Sequence, residues 1–320
     1  MAVSSISLCA GLSIPAGRAA QAFVRGSTSY SGLTSTFTEL PTLATQAWNQ
    51  KLLTVTQAEQ AKDFTVPAQF QGKTIRSVPL PSGKKVIALT FDDGPSEKYT
   101  NDILYILEQH GVKATFFLLG RNVQNFPARA KQVHLKGHAV ANHSWSHPYA
   151  KQSPASSASQ IDNTDVWIER ATGVKPKFFR PPGGYLHTGL AEYAAQKGQV
   201  VAMWSADSKD YYASAPSMVK RILKEATPGG IVLLHDGGGD RTQTVIALPT
   251  IIKNLQQQGY EFVTLPELLT MQDQEMKAIA AQKAAEAQKA AAAQQAAEAQ
   301  KAATAQPAPP PPAPQAAPAP

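Results

Sequence analysis

Apolar, β-prone runs alternate with helix-like segments along the middle of this chain. In the helix-like segments apolar residues recur three or four positions apart, as Ile103, Leu104 and Leu107 do before Gly111. The β-prone runs are Val86–Phe91, Ala114–Leu119, Ala139–Asn142, Lys177–Arg180, Val200–Trp204, Ile231–His235 and Phe262–Leu265. Strand–helix alternation repeated in this way predicts an α/β fold with a parallel sheet or barrel.

Composition divides the chain into three regions. Residues 1–75 are predicted to be a leader, with a candidate signal segment, followed by a linker, and residues 76–272 hold the strand–helix alternation. Residues 273–320 are rich in Ala, Gln and Lys and then in Pro and Ala, which predicts a helical spacer followed by an extended tail. Two interpretations of this region stay open, a stalk that associates with a cell envelope and an inert tail.

Charge and cysteine content exclude several classes of function. The formal net charge is +7, but the basic residues are scattered and do not cluster with aromatic residues, so nucleic-acid binding is not expected. Cys9 is the one cysteine, which excludes an internal disulfide and a cysteine-based zinc site. No stretch approaches the roughly 20 apolar residues that span a bilayer, so no transmembrane span is expected.

The first residues carry part of the pattern of an export signal. The stretch from Ile6 to Ile14 is moderately apolar, and small residues at Ala20 and Ala22 have cleavage-like spacing. No Lys or Arg precedes the apolar stretch, so a shortened secretory signal, an organelle transit peptide and a disordered leader all stay open. We expect a secreted or envelope protein.

Polar side chains recur at the carboxyl ends of the predicted strands, where α/β barrels carry their active sites. Asp92 and Asp93 are adjacent, so their side chains diverge, and one can bind a metal while the other faces a substrate. Taken alone, the segment from Asp92 to Pro95 is equally typical of a turn.

Two histidine pairs share a four-residue spacing, which puts both imidazoles on one face of a helical turn. His143 and His147 are predicted to bind a metal, and with one carboxylate they leave positions open for water and substrate, as catalytic sites do. His134 and His138 straddle Gly137 at a predicted helix end, and for this pair we favour a packing role.

Two further groups can support such a site. Arg180 precedes two prolines that fix the chain direction, and its guanidinium can pair with a carboxylate, although strand-end salt bridges are also common. His235 follows an apolar run, and with Asp207 or Asp210 beside it this histidine becomes a candidate acid whose pKa the carboxylate raises.

Five segments, in order, resemble the motifs of the polysaccharide deacetylases, the NodB-homology domain of carbohydrate esterase family four. They are Thr90–Pro95, His143–His147, Arg180–Tyr185, Asp207–Tyr211 and Leu233–Asp236. The resemblance implies a distorted (β/α) barrel of about seven strands. It also implies a divalent metal, usually Zn²⁺ with Co²⁺ or Ni²⁺ as alternatives, and removal of acetyl groups from acetylated sugars.

The resemblance assigns the catalytic roles. Asp92 matches the general base that activates the attacking water, and Arg180 matches the residue that orients it. His235 matches the acid that protonates the leaving amine, and Asp210 matches the carboxylate that tunes this acid. The metal ligands are matched by Asp93, His143 and His147.

The resemblance also assigns contacts with the substrate. The backbone N–H of Tyr185 matches an oxyanion contact, and Trp204 and Leu233 are expected to line the pocket for the acetyl methyl group. Tyr211 stands where a tryptophan is usual. A tyrosine keeps an aromatic wall but adds a hydroxyl, which leaves the sugar preference open.

We therefore expect a metal-dependent hydrolase that removes acetyl groups from an N-acetylated polysaccharide. The preferred substrate is N-acetylglucosamine in peptidoglycan; chitooligosaccharides, an exopolysaccharide and acetyl-xylan are alternatives. An inactive carbohydrate-binding relative is disfavoured, because the residue set is intact. We also expect a monomer. An amide is a poor electrophile with a poor leaving group, so a metal, a base and a separate acid together meet its needs.

Overall fold

The computed structural model describes residues 65–304, which form a curled parallel β-sheet wrapped by α-helices. Within this range the strands are β1 (Thr74–Ile75), β2 (Val86–Gly94), β3 (Thr115–Leu118), β4 (Ala139–Asn142), β5 (Phe178–Phe179), β6 (Val200–Ala202), β7 (Ala206–Asp207), β8 (Gly230–His235) and β9 (Glu261–Phe262). The helices are α1 (Tyr99–Gln109), α2 (Gly120–Asn125), α3 (Pro127–Leu135), α4 (Pro154–Thr172), α5 (Leu190–Gln196), α6 (Ala215–Glu225), α7 (Thr242–Gln257) and α8 (Leu265–Thr304).

The strands pair in the order β1-β6-β5-β4-β3-β2-β8-β7, and β9 joins the amino-terminal end of β2. Each of the seven predicted β-prone runs overlaps a strand, and the two-residue strands β1 and β7 are additional. The predicted distorted (β/α) barrel is confirmed, and the sheet has the form of a half-barrel that runs from β1 to β7. Because the strands are parallel, their carboxyl ends meet at one edge.

Successive side chains of β2 point to opposite faces of the sheet, so every second one faces the inside of the half-barrel. Leu89 and Phe91 pack on the outer face of the sheet, in the core cluster that includes α1. Ala88 belongs to the inner cluster. By the same two-residue period Thr90 and Asp92 share the inner face. A strand that is buried along its whole length therefore presents polar groups to the inside only near its carboxyl end.

Helix α8 has two parts in different environments. Leu265, Leu268 and Leu269 are fully buried in the inner cluster, and burying each leucine contributes about 1.5–3 kcal/mol. Glu275 accepts hydrogen bonds from the backbone and hydroxyl of Ser82 at 2.8 Å each. Residues 276–301 are exposed. The helix thus begins as part of the core and continues as a solvated rod.

The folded part extends past the bounds predicted for the domain, 76–272. Val66 and β1 already belong to the core and the sheet, and α8 passes residue 272 without a break. The candidate signal segment, Cys9 and the Pro-Ala tail lie outside the described residues. Within the described range, none of the helices has the length and apolar character needed to cross a membrane.

Candidate active site and metal centre

A β-bulge at the end of β2 separates the two neighbouring aspartates. Asp92 pairs with Phe117 and Gly94 pairs with Leu118 of β3, so Asp93 is the extra residue. Its φ is 71°, in the left-handed region that side chains other than glycine rarely adopt. The bulge leaves Asp92 on the inner face and turns Asp93 towards the histidines. The sequence predicted that the two side chains diverge, and this bulge is how they do so.

A loop, rather than the predicted helical turn, brings His143 and His147 together. Strand β4 ends at Asn142, and the following residues Ser144 and His147 have φ angles of 69° and 60°. The two imidazole centroids lie 4.9 Å apart. The hydroxyl of Ser144 accepts the backbone N–H of His147 at 3.1 Å. The spacing identified this pair, but the helical conformation predicted for it is wrong.

Three potential ligand atoms converge at the carboxyl edge of the sheet. One from each of Asp93, His143 and His147 lies within 4.8 Å of the others. Oδ1 of Asp93 is buried and has no hydrogen-bond partner among the described residues, and the Nε2 atoms of His143 and His147 lie 3.4 and 3.5 Å from it. Nδ1–H of His143 donates to the carbonyl of Arg180 at 2.8 Å, which orients the ring so that Nε2 faces Asp93. These groups fit a divalent cation that takes nitrogen and oxygen ligands.

The electrostatics of Asp93 and His147 suit metal ligation, whereas Asp92 and Asp93 raise the pKa of His143 despite its burial, so that a bound metal would displace the proton of this imidazole. Burial opposes the ionisation of Asp93, but the neighbouring His143, His235 and His147 outweigh it and hold its pKa well below the usual range. Burial, followed by the charge of His143, lowers the pKa of His147 to about 4. An ionised carboxylate and a neutral imidazole are the protonation states that a metal requires of such ligands.

Arg180 is completely buried and holds Asp92 from inside the sheet. Its Nη1 donates to Oδ1 of Asp92 at 2.7 Å and to the hydroxyl of Thr90 at 2.8 Å. Its Nε and Nη2 donate to the carbonyls of Ala202 and Met203. The guanidinium is therefore fixed by four hydrogen bonds and in turn fixes the orientation of the carboxylate. Asp92 is therefore the carboxylate that pairs with Arg180, as the sequence predicted.

His235 and Asp210 form a hydrogen-bonded dyad. Nδ1–H of His235 donates to Oδ1 of Asp210 at 2.7 Å, while the backbone N–H of His235 and the hydroxyl of Thr244 donate to Oδ2. Burial would lower the pKa of His235, but Asp210 and the other carboxylates of the site raise it to about 9. Asp207 pairs with Lys209 at 2.6 Å instead. Of the two carboxylates left open by the sequence, Asp210 is the one that contacts His235.

One pocket of about 420 Å³ is lined by Asp92, Asp93, His143, His147 and His235, whereas Arg180 and Asp210 are not among its lining residues. Tyr185 lines it, and its backbone N–H donates to the carbonyl of Pro182 at 3.2 Å. Gly183, on the same turn, also lines the pocket, and its N–H has no hydrogen-bond partner among the described residues. The oxyanion contact predicted for Tyr185 stays a prediction, and the N–H of Gly183 is a second candidate donor. Three more of the predicted substrate contacts line the pocket, namely Trp204, Tyr211 and Leu233.

Sequence reasoning missed the side chains that support the histidine loop. Oε1 of Gln160, on α4, accepts the backbone N–H groups of Trp145 and Ser146 at 2.9 and 3.0 Å. Oδ1 of Asn142 accepts the N–H of Ser144 at 2.7 Å. No pattern in the sequence distinguishes Gln160, because glutamine is common on solvated helix faces.

The glycine-rich loop after β8 packs directly on a predicted metal ligand. Gly238 has φ of +71°, and a Cβ at this position would overlap Oδ2 of Asp93. Arg241 is 5% exposed, lines the pocket and donates to the carbonyls of Gly237 and Asp210 at 2.6 and 3.3 Å. The run of three glycines was the available sign of such close backbone approach.

Comparison with known proteins identifies the family. The family model described as polysaccharide deacetylase matches residues 80–202. A peptidoglycan-N-acetylglucosamine deacetylase from Bacillus cereus is 41% identical over 201 residues, which cover 59% of this chain and 91% of that protein. The chain belongs to the polysaccharide deacetylase family. The predicted resemblance is confirmed, and with it the prediction of a metal-dependent deacetylase.

Solved structures of this family have the same fold. The crystal structure of the Bc1960 peptidoglycan N-acetylglucosamine deacetylase has a TM-score of 0.59 at 36% identity and covers 62% of this chain and 94% of that one. A family 4 acetyl xylan esterase from Clostridium thermocellum, in complex with a cobalt ion, has a TM-score of 0.55 at 35% identity and covers 58% and 91%. The metal dependence of the family agrees with the Asp-His-His cluster of this polysaccharide deacetylase.

Proposed function

We propose that this polysaccharide deacetylase hydrolyses the N-acetyl amide of N-acetylglucosamine in peptidoglycan, in the cell envelope or outside the cell. Relatives named as peptidoglycan deacetylases support this substrate. The observation that carries the chemistry is the division between two adjacent carboxylates. Asp93 faces two imidazoles, whereas Asp92 is held by Arg180 at 2.7 Å.

We propose zinc as the metal, held by Asp93, His143 and His147. Two nitrogen ligands and one oxygen ligand leave a position open for substrate or water, which is typical of catalytic zinc. When bound, zinc supplies Lewis acidity, which polarises the acetyl carbonyl and makes water a better nucleophile. Cobalt and nickel are alternatives with similar ligand preferences.

The remaining residues move protons and hold charge. Arg180 occupies Oδ1 of Asp92, so Oδ2 is the oxygen available to take a proton from the attacking water. A backbone N–H of the turn that holds Gly183 and Tyr185 stabilises the developing oxyanion. His235 donates its Nε2 proton to the amide nitrogen as the C–N bond breaks, while Asp210 stabilises the imidazolium and the correct tautomer. The products are acetate and the free amine of the sugar.

The His235–Asp210 dyad favours an N-acetylated substrate over the ester acetyl-xylan. An amine is a poor leaving group unless it is protonated, and the His235–Asp210 dyad provides a proton at neutral pH. Acetyl-xylan, an ester, has less need of this acid. The complete set of candidate ligands, base and acid favours an enzyme over an inactive carbohydrate-binding protein.

The experiment is acetate release from a panel of purified peptidoglycan, chitooligosaccharides and acetyl-xylan. We expect the highest kcat/KM on peptidoglycan fragments, complete loss after treatment with a chelator, and recovery when zinc is added back. Parallel additions of cobalt and nickel rank the metals. Release from acetyl-xylan alone would overturn the proposed substrate, and full activity in chelator would overturn the proposed metal site.

Replacement of the proposed base separates metal binding from turnover. Asp92→Asn is expected to keep one metal per chain but to lower kcat by about 10²–10⁴-fold, because the amide cannot accept the proton. Metal content and acetate release are measured on the same preparation. Retained turnover would remove Asp92 as the base.

We also propose that the protein is a monomer and that residues 273–320 act as a spacer to the envelope. A chain truncated after Gln282 keeps the buried start of α8 and the contact of Glu275 with Ser82. We expect unchanged kcat/KM on soluble oligomers and slower release from intact cell walls. Sedimentation measures the oligomeric state, and loss of activity on soluble oligomers would show that the spacer has another role.

A further inference from the structure

A buried carboxylate outside the active-site pocket has no part in the chemistry described above. Asp165 lies on α4, is 4% exposed and is not among the residues that line that pocket. Nε2 of Gln199 donates to both of its carboxylate oxygens at 2.9 Å. Burying a carboxylate costs free energy unless hydrogen bonds satisfy it, so the groups that bond to Asp165 indicate what it serves.

The same carboxylate is bonded to the residue that ends β4. Nδ2 of Asn142 donates to Oδ1 of Asp165 at 2.7 Å and to the carbonyl of Ile161 at 2.9 Å. Each of the two hydrogens of this amide nitrogen therefore has an acceptor on α4. Asn142 is fully buried and immediately precedes the proposed ligand His143. The nitrogen of its amide is thus fixed towards the helix.

Fixing the nitrogen leaves the amide oxygen for the histidine loop. Oδ1 of Asn142 accepts the N–H of Ser144 at 2.7 Å. Ser144 has a φ of 69°, and its hydroxyl in turn accepts the N–H of His147. An amide rotated by 180° would present its NH₂ group to the N–H of Ser144, and this hydrogen bond would be lost. The direction of the Asn142 amide therefore stabilises the bend of the loop that carries both histidines.

Asp165 selects this direction because an ionised carboxylate accepts hydrogen bonds and donates none. Burial raises its pKa to about 6, although the hydrogen bonds from Asn142 and Gln199 oppose this rise, so the group is mainly ionised at neutral pH. Asp165 also lines a cavity of about 330 Å³ together with Lys175, whose charge favours the ionised form. The NH₂ side of the asparagine is the side that such an acceptor attracts.

We propose that Asp165 is a positioning residue of the metal centre, which acts through the Asn142 amide to hold the histidine loop in its metal-binding shape. The proposal rests on the proposed metal site. Gln160, on the same helix, accepts two other N–H groups of this loop. Helix α4 therefore supports the loop at two separate points, one direct and one through Asn142.

The test is a double-mutant cycle on zinc affinity, measured by competition with a chromophoric chelator. Asp165→Leu removes the acceptor and is expected to weaken zinc binding about tenfold. Asn142→Ala should weaken it at least as much, and the double variant should match Asn142→Ala within about twofold, because Asp165 acts through that side chain. The matched control is Asp162→Leu on the same helix, whose carboxylate pairs with Lys197 instead, and we expect it to match the wild type.

Two further variants and thermal unfolding of each apoprotein separate loss of the fold from loss of affinity. Asp165→Ala removes the same acceptor without adding apolar bulk, so it should repeat the loss. Asp165→Asn keeps an oxygen for Asn142, so it should retain most of the affinity. Wild-type affinity in a folded leucine or alanine variant, losses that multiply in the double variant, or an Asp165→Asn variant as weak as Asn142→Ala would overturn the proposal. A wild type that binds no zinc would instead overturn the proposed metal site.

Discussion

The pairs His134/His138 and His143/His147 have the same spacing and flank the same strand. His138 immediately precedes β4, at the amino-terminal edge of the sheet, and His143 immediately follows β4, at the carboxyl edge. His138 is 1% exposed, and its Nδ1 accepts the backbone N–H of Ala114 at 3.1 Å. It completes the backbone hydrogen bonding where two neighbouring strands begin, which is a structural role.

The charges around the two histidines differ as much as their positions. Burial, with added repulsion from Lys113 and Lys136, lowers the pKa of His138 to about 3. His143 is equally buried, but Asp92 and Asp93 raise its pKa despite the burial. Spacing alone therefore does not make a metal site. The position at the carboxyl end of β4 distinguishes the second pair, because the carboxylates of β2 lie at the same edge of the sheet.

The largest effect is expected from removing a histidine of the second pair. His143→Ala should lose the metal and lower acetate release at least about a thousandfold, because the cation loses a ligand and its activation of water. Metal content by mass spectrometry and acetate release are measured together. His134→Ala is the matched control. If this variant folds but also loses its metal, the assignment of metal binding to the second pair and of a structural role to the first is wrong.

His235 extends the comparison to a histidine whose partner is a carboxylate. His235→Ala should lower kcat on an N-acetyl amide about a hundredfold or more and affect an activated acetate ester less, since that leaving group needs no proton. With its pKa raised to about 9, His235 stays protonated at neutral pH, and amide hydrolysis by the wild type should decline as the pH rises through that value. Equal losses on both substrates would contradict the acid role.

A smaller effect is expected from removing the side chain of Gln160, which supports the loop that carries His143 and His147. Gln160→Leu removes the acceptor for two loop N–H groups and should weaken metal affinity about 10–100-fold. The neighbouring, exposed Ser159→Ala is the control. Metal competition with a chromophoric chelator gives the affinity, and wild-type affinity in Gln160→Leu would show that the loop holds its shape without this contact.

The last effect concerns His138 and the stability of the fold rather than catalysis. Its folded pKa lies below the unfolded value of 6.5, so its contribution to stability is present above pH 6.5 and is lost as the pH falls towards 3. The slope from this one group is at most about 1.4 kcal/mol per pH unit. His138→Asn keeps an acceptor without titrating, and its Tm should fall less than that of the wild type between pH 7 and pH 4. If the Tm of the two proteins falls equally between pH 7 and pH 4, the loss of stability of the wild type in acid is due to groups other than His138.

Local patterns were sufficient for much of this architecture. The apolar runs predicted seven of the strands, because a buried parallel strand needs continuous apolar sequence. They failed at β1 and β7, which are two residues long and owe their pairing to neighbouring strands rather than to their own composition. The i,i+4 rule chose His143 and His147 but predicted the wrong backbone, since Asn142 and Gln160 hold a loop that no local pattern specifies.

By itself, the sequence determined which polar residues stand at strand ends and that they suit metal binding, water activation and protonation of a leaving group. The tertiary structure decided how they divide the work. The bulge at Asp93 separates it from Asp92, burial of Arg180 fixes that second carboxylate, and the contact of Asp210 with His235 selects one of two possible partners. These decisions depend on distances between residues far apart in the chain, which spacing along the sequence does not encode.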